Sequence, residues 1–395
     1  EVAAAYGKDQ TFGPEYIIPA PFDPRLMERV SAAVAKAAMD SGVAQKPIED
    51  FDAYKLSLKA RLNPTTSVLT QVYADAQANP KRVVFAEAEE DVALRAAIQF
   101  RDFGYGVPVL VGRTQAVRDK LVELGVSNPD SFEIQNSADS ELVPAMVDYL
   151  YERLQRRGYL FRDCQRLANT DRNAFAACMV ACGEADAMVT GLTRSFGVAY
   201  DDIRRAIDPL PKRRVFGLSI LVVRGRSIFI ADTSVHELPN AEQLADIAVQ
   251  SAAAARSMGH EPRVALLSYS NFGNPWHPQA QRIRDAVQLL DLQEPDFEYD
   301  GEMQASTALN YDLMREHYPV SRLTGPANVL VMPGLHSANI TAKLVQHAGG
   351  GTVIGPVLIG LAHSAQVVQL GATVNDLVTA AALAAYDAQT LKEQG

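Results

Sequence analysis

The chain has 395 residues, with Lys+Arg 37 against Asp+Glu 47 for a formal net charge of −10. At 48% hydrophobic and 21% charged residues it has an ordinary globular composition, with material for two to three domains at about 150 residues each. The acidic balance excludes a general nucleic-acid binder, which presents a basic face. Three cysteines, Cys164, Cys178 and Cys182, are too few and too bunched for a disulfide framework or a zinc site, and read as reduced packing residues of a cytoplasmic protein. The uncharged stretch 349–375 is broken by Pro356, six glycines, His363, Gln366 and Gln369, so a membrane span is not expected, and no signal peptide is visible. The first residue is Glu1 rather than Met, which is expected of a fragment or a processed product.

Along the chain, residues 12–24 are extended and proline-punctuated, and a helix is predicted over 25–41, stopped by Gly42. This segment is too small for a core of its own and reads as the tail of something longer. From Asn79 onward, β-branched runs alternate with amphipathic stretches. Strands are predicted at 82–86, 108–111, 187–190, 264–268 and 329–332, with helices at 91–103, at 114–124 and opening near Ser337. Strands apolar on both faces that alternate with helices predict a largely parallel sheet covered on both sides. The middle breaks this rhythm. Runs 215–223 and 227–231, separated by Arg224-Gly225-Arg226, signal a hairpin, and a boundary is expected near Pro209-Leu210-Pro211.

Several segments carry residues suited to chemistry. The 187–190 strand delivers Thr190, Gly191, Thr193 and Arg194 at its carboxyl end, where α/β sheets bind ligands, although a plain βα turn fits the same residues. Ser268 to Gly273 follow another strand in the same way. Asp300-Gly301-Glu302-Met303-Gln304 reads either as a polar site at a helix start or as N-capping. Met332 to Lys343 reads as strand, glycine turn and helix N-terminus, an anion site reinforced by Lys343. No P-loop, no GxGxxG and no HxxxH or HExxH arrangement is present, so neither a nucleotide fingerprint nor a metal site is expected. Arg153, Arg156, Arg157, Arg162, Arg166 and Arg172 form a locally basic stretch that fits a solvated face or a polyanionic small ligand.

At these motifs the sequence resembles the phosphate acetyltransferase (phosphotransacetylase) family. The matching segments are Arg82-Val83-Val84-Phe85-Ala86-Glu87-Ala88-Glu89, 186–191, 268–273, 300–304 and 333–376, the last including Gly355-Pro356-Val357-Leu358-Ile359-Gly360-Leu361-Ala362. Residues 12–24 and 30–47 resemble the end of the malic-enzyme catalytic region, and the combination resembles the class of large bacterial NADP-dependent malic enzymes. The resemblance implies a three-layer α/β/α fold of two subdomains with a cleft between them, similar in topology to isocitrate dehydrogenase. Residues 1–76 are then the catalytic-region tail and linker, 77–208 the first subdomain (completed by 360–395) and 209–359 the second.

The resemblance also implies departures. The family's Ser-Arg pair, which stabilises the transferring acetyl group, falls on Gln369 and Leu370; its Asp, proposed as base for the CoA thiol, is retained as Asp376; and an arginine near the CoA site appears as His347. Losing such an electrostatic stabiliser costs about 10²–10³ in rate. The expected function is therefore a regulatory, acetyl-CoA-sensing and oligomerisation domain with no catalytic residues of its own. Its expected acetyl-CoA site comprises Thr193, Arg194, Ser337, Asn339, Lys343, His347, Gly355, Pro356, Gly360, Gln369, Leu370 and Asp376. No cofactor or metal is expected in this stretch; NADP and a divalent metal belong to the malic-enzyme catalytic domain of the same chain. Expected partners are acetyl-CoA or a related acyl-CoA, that catalytic domain and further copies of the chain in a homo-oligomer, with no nucleic acid and no membrane. The alternatives are an active phosphate acetyltransferase, making acetyl phosphate and CoA from acetyl-CoA and phosphate, and a ligand-free assembly domain.

Overall fold

The computed structural model describes residues 24–48, 50–51, 54, 58, 69–223 and 226–394. The proline-punctuated segment 12–23 and the hairpin turn residues Arg224 and Gly225 lie outside the described residues. The chain divides into two compact units, Glu1–Thr70 and Gln71–Gly395. In the first, helix α1 (Pro24–Asp40) ends where the Ser41 hydroxyl donates to the Ala37 carbonyl at 2.7 Å and Gly42 takes φ +73°. Glycine adopts that left-handed conformation without a steric penalty.

From Thr70, α2 (Thr70–Ala78) leads into β1 (Lys81–Phe85), α3 (Asp91–Asp102), β2 (Gly106–Val111), α4 (Thr114–Glu123) and β3 (Glu133–Gln135). Helices α5 (Val143–Leu154), α6 (Phe161–Thr170) and α7 (Arg172–Ala181) precede β4 (Ala187–Thr190) and α8 (Phe196–Ala206). The chain then builds β5 (Phe216–Val223), β6 (Arg226–Ala231), α9 (Ala241–Ser257), β7 (Arg263–Leu267), α10 (Pro278–Gln293) and β8 (Glu298–Met303). Short helices α11 (Ala305–Leu309) and α12 (Tyr311–His317) lead to β9 (Val329–Val331), α13 (Leu335–Ala348) and β10 (Thr352–Ile359). Strand β11 (Ser364–Val367) and helix α14 (Val374–Gln394) complete it.

The strands form two sheets. The first, ordered β11-β4-β1-β2-β3, is parallel throughout. Because side chains alternate across a strand, Val83 and Phe85 of β1 join the core under α3, α4 and α14, while Val84 joins the core under α5 to α8. The result is three layers. The second sheet, ordered β10-β5-β6-β9-β7-β8, is parallel from β6 through β8, whereas β5 pairs antiparallel with both β6 and β10. The expected hairpin is the β5–β6 pair, in register from Leu218↔Ala231 to Val223↔Arg226. Helices α9 and α10 pack on this sheet, as do α11, α12 and α13 through Ala308, Met314 and Ala338.

Two stretches join the sheets, and they run side by side. Pro209 bridges Leu361, Leu210 N donates to Gly360 O at 2.9 Å, and Ala362 N donates to Asp208 O at 2.8 Å. Gly360, at φ +91°, is required here: a Cβ on it would lie 2.2 Å from the Arg214 carbonyl oxygen.

Two expectations are corrected. Residues 300–303 do not open a helix but end β8, and α11 starts only after Gln304. Glu302 is fully buried, and its charge is met inside the fold by Arg284 Nη1 at 3.0 Å, Ser270 Oγ at 2.8 Å and Gly273 N at 2.9 Å. Cys164 and Cys178 are packing residues, but Cys182 is exposed. The uncharged stretch 349–375 contains β10 and β11, and no described helix is long and apolar enough to cross a membrane.

Candidate functional site

A cleft of about 590 Å³ lies between the two sheets, bounded by elements of both. The five-stranded lobe contributes Ser195, Phe196 and Gly197 at the start of α8, and Gln369 and Leu370 just after β11. The six-stranded lobe contributes Ser219 of β5, Thr233 and Ser234 after β6, one face of α13, and Val353 and Pro356 of β10.

The floor is a shaped polar surface. Asp232, buried at the end of β6, accepts hydrogen bonds from the backbone N–H groups of Gly217 (2.9 Å), Ser234 (2.8 Å), Val235 (3.1 Å) and His236 (2.7 Å). One carboxylate thus folds the loop that presents Thr233 and Ser234. The Thr233 hydroxyl is shared with Ser219 Oγ at 2.9 Å, and Asn339 Nδ2 donates to the Thr233 carbonyl at 3.2 Å. Two helix N-termini, those of α8 and α13, border the cleft, and neither Ser195 nor Gly334 caps its helix with a side chain. The Leu335 N–H at the start of α13 donates to the Glu237 carbonyl at 3.1 Å, and the other first-turn N–H groups and the positive dipole ends favour an anionic ligand there. Lys343 adds a cation, and its ammonium donates to Gln369 Oε1 at 2.7 Å.

Of the twelve expected site residues, the structure brings Asn339, Lys343, Pro356, Gln369 and Leu370 together in this cleft. The others are engaged or placed elsewhere. Arg194 is ion-paired by Nη1 to Asp171 at 2.7 Å and to Asp202, so it is no free fork for a ligand. Thr193 donates its N–H and hydroxyl to buried Glu87, which also takes the N–H groups of Gly191 (2.8 Å) and Leu192 (2.6 Å). A protein carboxylate therefore fills the backbone nest at the carboxyl end of β4, where a ligand anion was expected. Asp376 closes a capping box with Thr373: its carboxylate accepts the Thr373 N–H at 2.8 Å and its own N–H donates to Thr373 Oγ1 at 3.2 Å. Ser337 Oγ donates to Gly334 O at 2.7 Å, and His347 is exposed in the last turn of α13. Gly355 sits at φ +96° where the β10–β5 register shifts, and Gly360 lines a different cleft.

Sequence reasoning missed Glu87, Asp232, Ser219, Thr233, Ser234 and Phe196. A usable signal existed for four of them: the Asp232-Thr233-Ser234 run directly after β6, and Glu87 two residues after β1. Among the described residues no three His, Cys, Asp or Glu gather to hold an ion. Burial pushes the Cys178 thiol well above its ordinary range, which keeps it protonated and inert.

A family model described as "Phosphate acetyl/butaryl transferase" matches residues 67–385. The chain belongs to the phosphate acetyl/butaryl transferase family. It is 52% identical to the NADP-dependent malic enzyme of Rhizobium meliloti (strain 1021), over 99% of this chain and 51% of that protein. It is 44% identical to the probable NADP-dependent malic enzyme of Rickettsia prowazekii (strain Madrid E), over 98% of this chain and 52% of that protein. The chain thus spans about half the length of these relatives. Among solved structures it is similar to a phosphotransacetylase from Streptococcus pyogenes, with a TM-score of 0.78 and 27% identity over 82% of this chain and 98% of that one. The fold shared with the phosphotransacetylase therefore comes in this chain with higher sequence identity to the malic-enzyme relatives.

Proposed function

We propose that this chain is an acyl-CoA-sensing regulatory domain of an NADP-dependent malic enzyme, in which transacetylase turnover has been lost. The observation that carries the reading is the pair Gln369 and Leu370 at the cleft wall. Family resemblance implies a Ser-Arg pair there; Leu370, 61% exposed, has no charge to offer a developing oxyanion, and the Gln369 carbonyl already accepts from Lys343. The binding features remain: two helix N-termini without side-chain caps, Lys343 and the hydroxyl floor suit the phosphates and amides of CoA. A ligand touching both lobes shifts their arrangement by its differential affinity, and coupling of about 1–3 kcal/mol is typical. On this reading NADP, the divalent metal and malate decarboxylation belong to the half of the relatives that this chain does not span. The protein acts in the cytoplasm as a homo-oligomer.

Two measurements on the same preparation test the proposal: calorimetric titration with acetyl-CoA, and an assay for CoA release from acetyl-CoA and phosphate. Binding without turnover is expected. Turnover in the ordinary enzymatic range of about 1–10³ per second makes the chain an active transferase, and absence of binding leaves only an assembly role.

A further inference from the structure

A second cleft, of about 140 Å³, opens beside the paired stretches that join the lobes, and it shares no lining residue with the first. Leu210, Arg213 and Gly360 from those stretches border it, facing Gln250 of α9 and Tyr386 and Asp387 of α14. It touches both lobes: the Tyr386 hydroxyl donates to the Ser257 carbonyl at 2.8 Å and so ties α14 to α9. Asp387 is the acidic group in the lining, and the buried hydroxyl of Ser364 lies near it. No described Lys, Arg or His forms an ion pair with it. Burial pushes its carboxyl up to about 6, so near neutral pH it carries a charge that no ion pair among the described residues offsets. A recessed carboxylate without a cation is costly, and a ligand that supplies one relieves that cost.

We propose that this cleft is a second ligand site, which takes a small primary ammonium compound with an aliphatic body. The ammonium meets Asp387, and the body lies against Met258, Val357 and Leu383 of the lining. Size sets the class: an apolar cavity of about 150 Å³ holds benzene, so five or six non-hydrogen atoms fit here. Arg213 at the border disfavours a second positive charge on the ligand. Because the walls come from both lobes, the bound amine holds them in one arrangement, independently of whether the larger cleft binds acyl-CoA.

The test is calorimetric titration of the chain with isobutylammonium chloride, with sodium chloride and isobutanol titrated alongside. Saturable binding of the amine is expected, with isobutanol weaker by about tenfold or more, since a charge-assisted hydrogen bond to a recessed carboxylate contributes at least that much. Asp387→Asn, checked by circular dichroism for a native fold, is expected to lose the preference for the amine. Thr390→Trp narrows the cleft while keeping the carboxylate, and it is expected to weaken amine and alcohol alike. No saturation with the amine, equal binding of amine and isobutanol, or unchanged binding in a folded Asp387→Asn or Thr390→Trp overturns the proposal.

Discussion

The Lys343 ammonium donates to the Gln369 side-chain carbonyl at 2.7 Å, joining α13 of the six-stranded lobe to the loop after β11 in the five-stranded lobe. Both residues are exposed or nearly so, and an exposed contact of this kind contributes at most about 1 kcal/mol to stability. Its value is positional, because it keeps a cation at the cleft wall. Lys343→Ala is therefore expected to weaken acetyl-CoA binding about tenfold or more, while thermal unfolding shifts little. Calorimetry beside a melting curve reads both, and an unchanged affinity removes Lys343 from the site.

Restoring the family's pair tests the proposed loss of turnover. Gln369→Ser with Leu370→Arg puts a hydroxyl and a guanidinium on the cleft wall where an amide and a butyl group stand. A gain of about 10²–10³ in acetyl phosphate formation over the unaltered chain is expected. A double variant no more active than its parent means that more than these two groups has been lost.

Glu87 holds three backbone N–H groups and the Thr193 hydroxyl with one carboxylate that is 2% exposed. Truncation strands those donors in a dry site. Glu87→Ala is expected to destabilise the chain by about 2–4 kcal/mol, readable as a lowered denaturation midpoint in urea. Glu87→Gln, which keeps the shape and loses the charge, is expected to lie between the two.

Asp387 makes stability depend on pH. Its folded carboxyl holds a proton up to about 6, whereas the unfolded group titrates near the ordinary 3.8. Between those values the folded state binds more protons, so stability falls as pH rises through the window and the penalty is fully present above it. Asp387→Asn removes the titration. The variant is expected to match the parent chain near pH 4 and to exceed it at pH 7.5, by up to about 3 kcal/mol. Melting curves at the two pH values decide it, and a gap that does not widen with pH removes Asp387 as the cause.

What the sequence determined by itself is the part of the fold that local pattern encodes. Val83, Val84 and Phe85 are apolar on both faces, so a covered parallel strand was legible, and Arg224-Gly225-Arg226 between two β-branched runs announced the antiparallel pair. The chain's family was legible as well, because its motifs keep their residues and order. Tertiary structure decided which polar groups are free to act. Arg194 reads as an open fork until Asp171 and Asp202 close on it from 23 residues before and 8 residues after. Thr193 reads as a ligand until Glu87, 106 residues away, takes its hydrogen bonds. The carboxylates at 300 and 302 read as a helix start because a sequence shows charge but not burial, and Arg284, which meets Glu302, lies on another element. Strand propensity and hydrophobic periodicity act over a few residues, so they can be read along the chain. Charge pairing and desolvation act through space, and only the folded chain sets those distances.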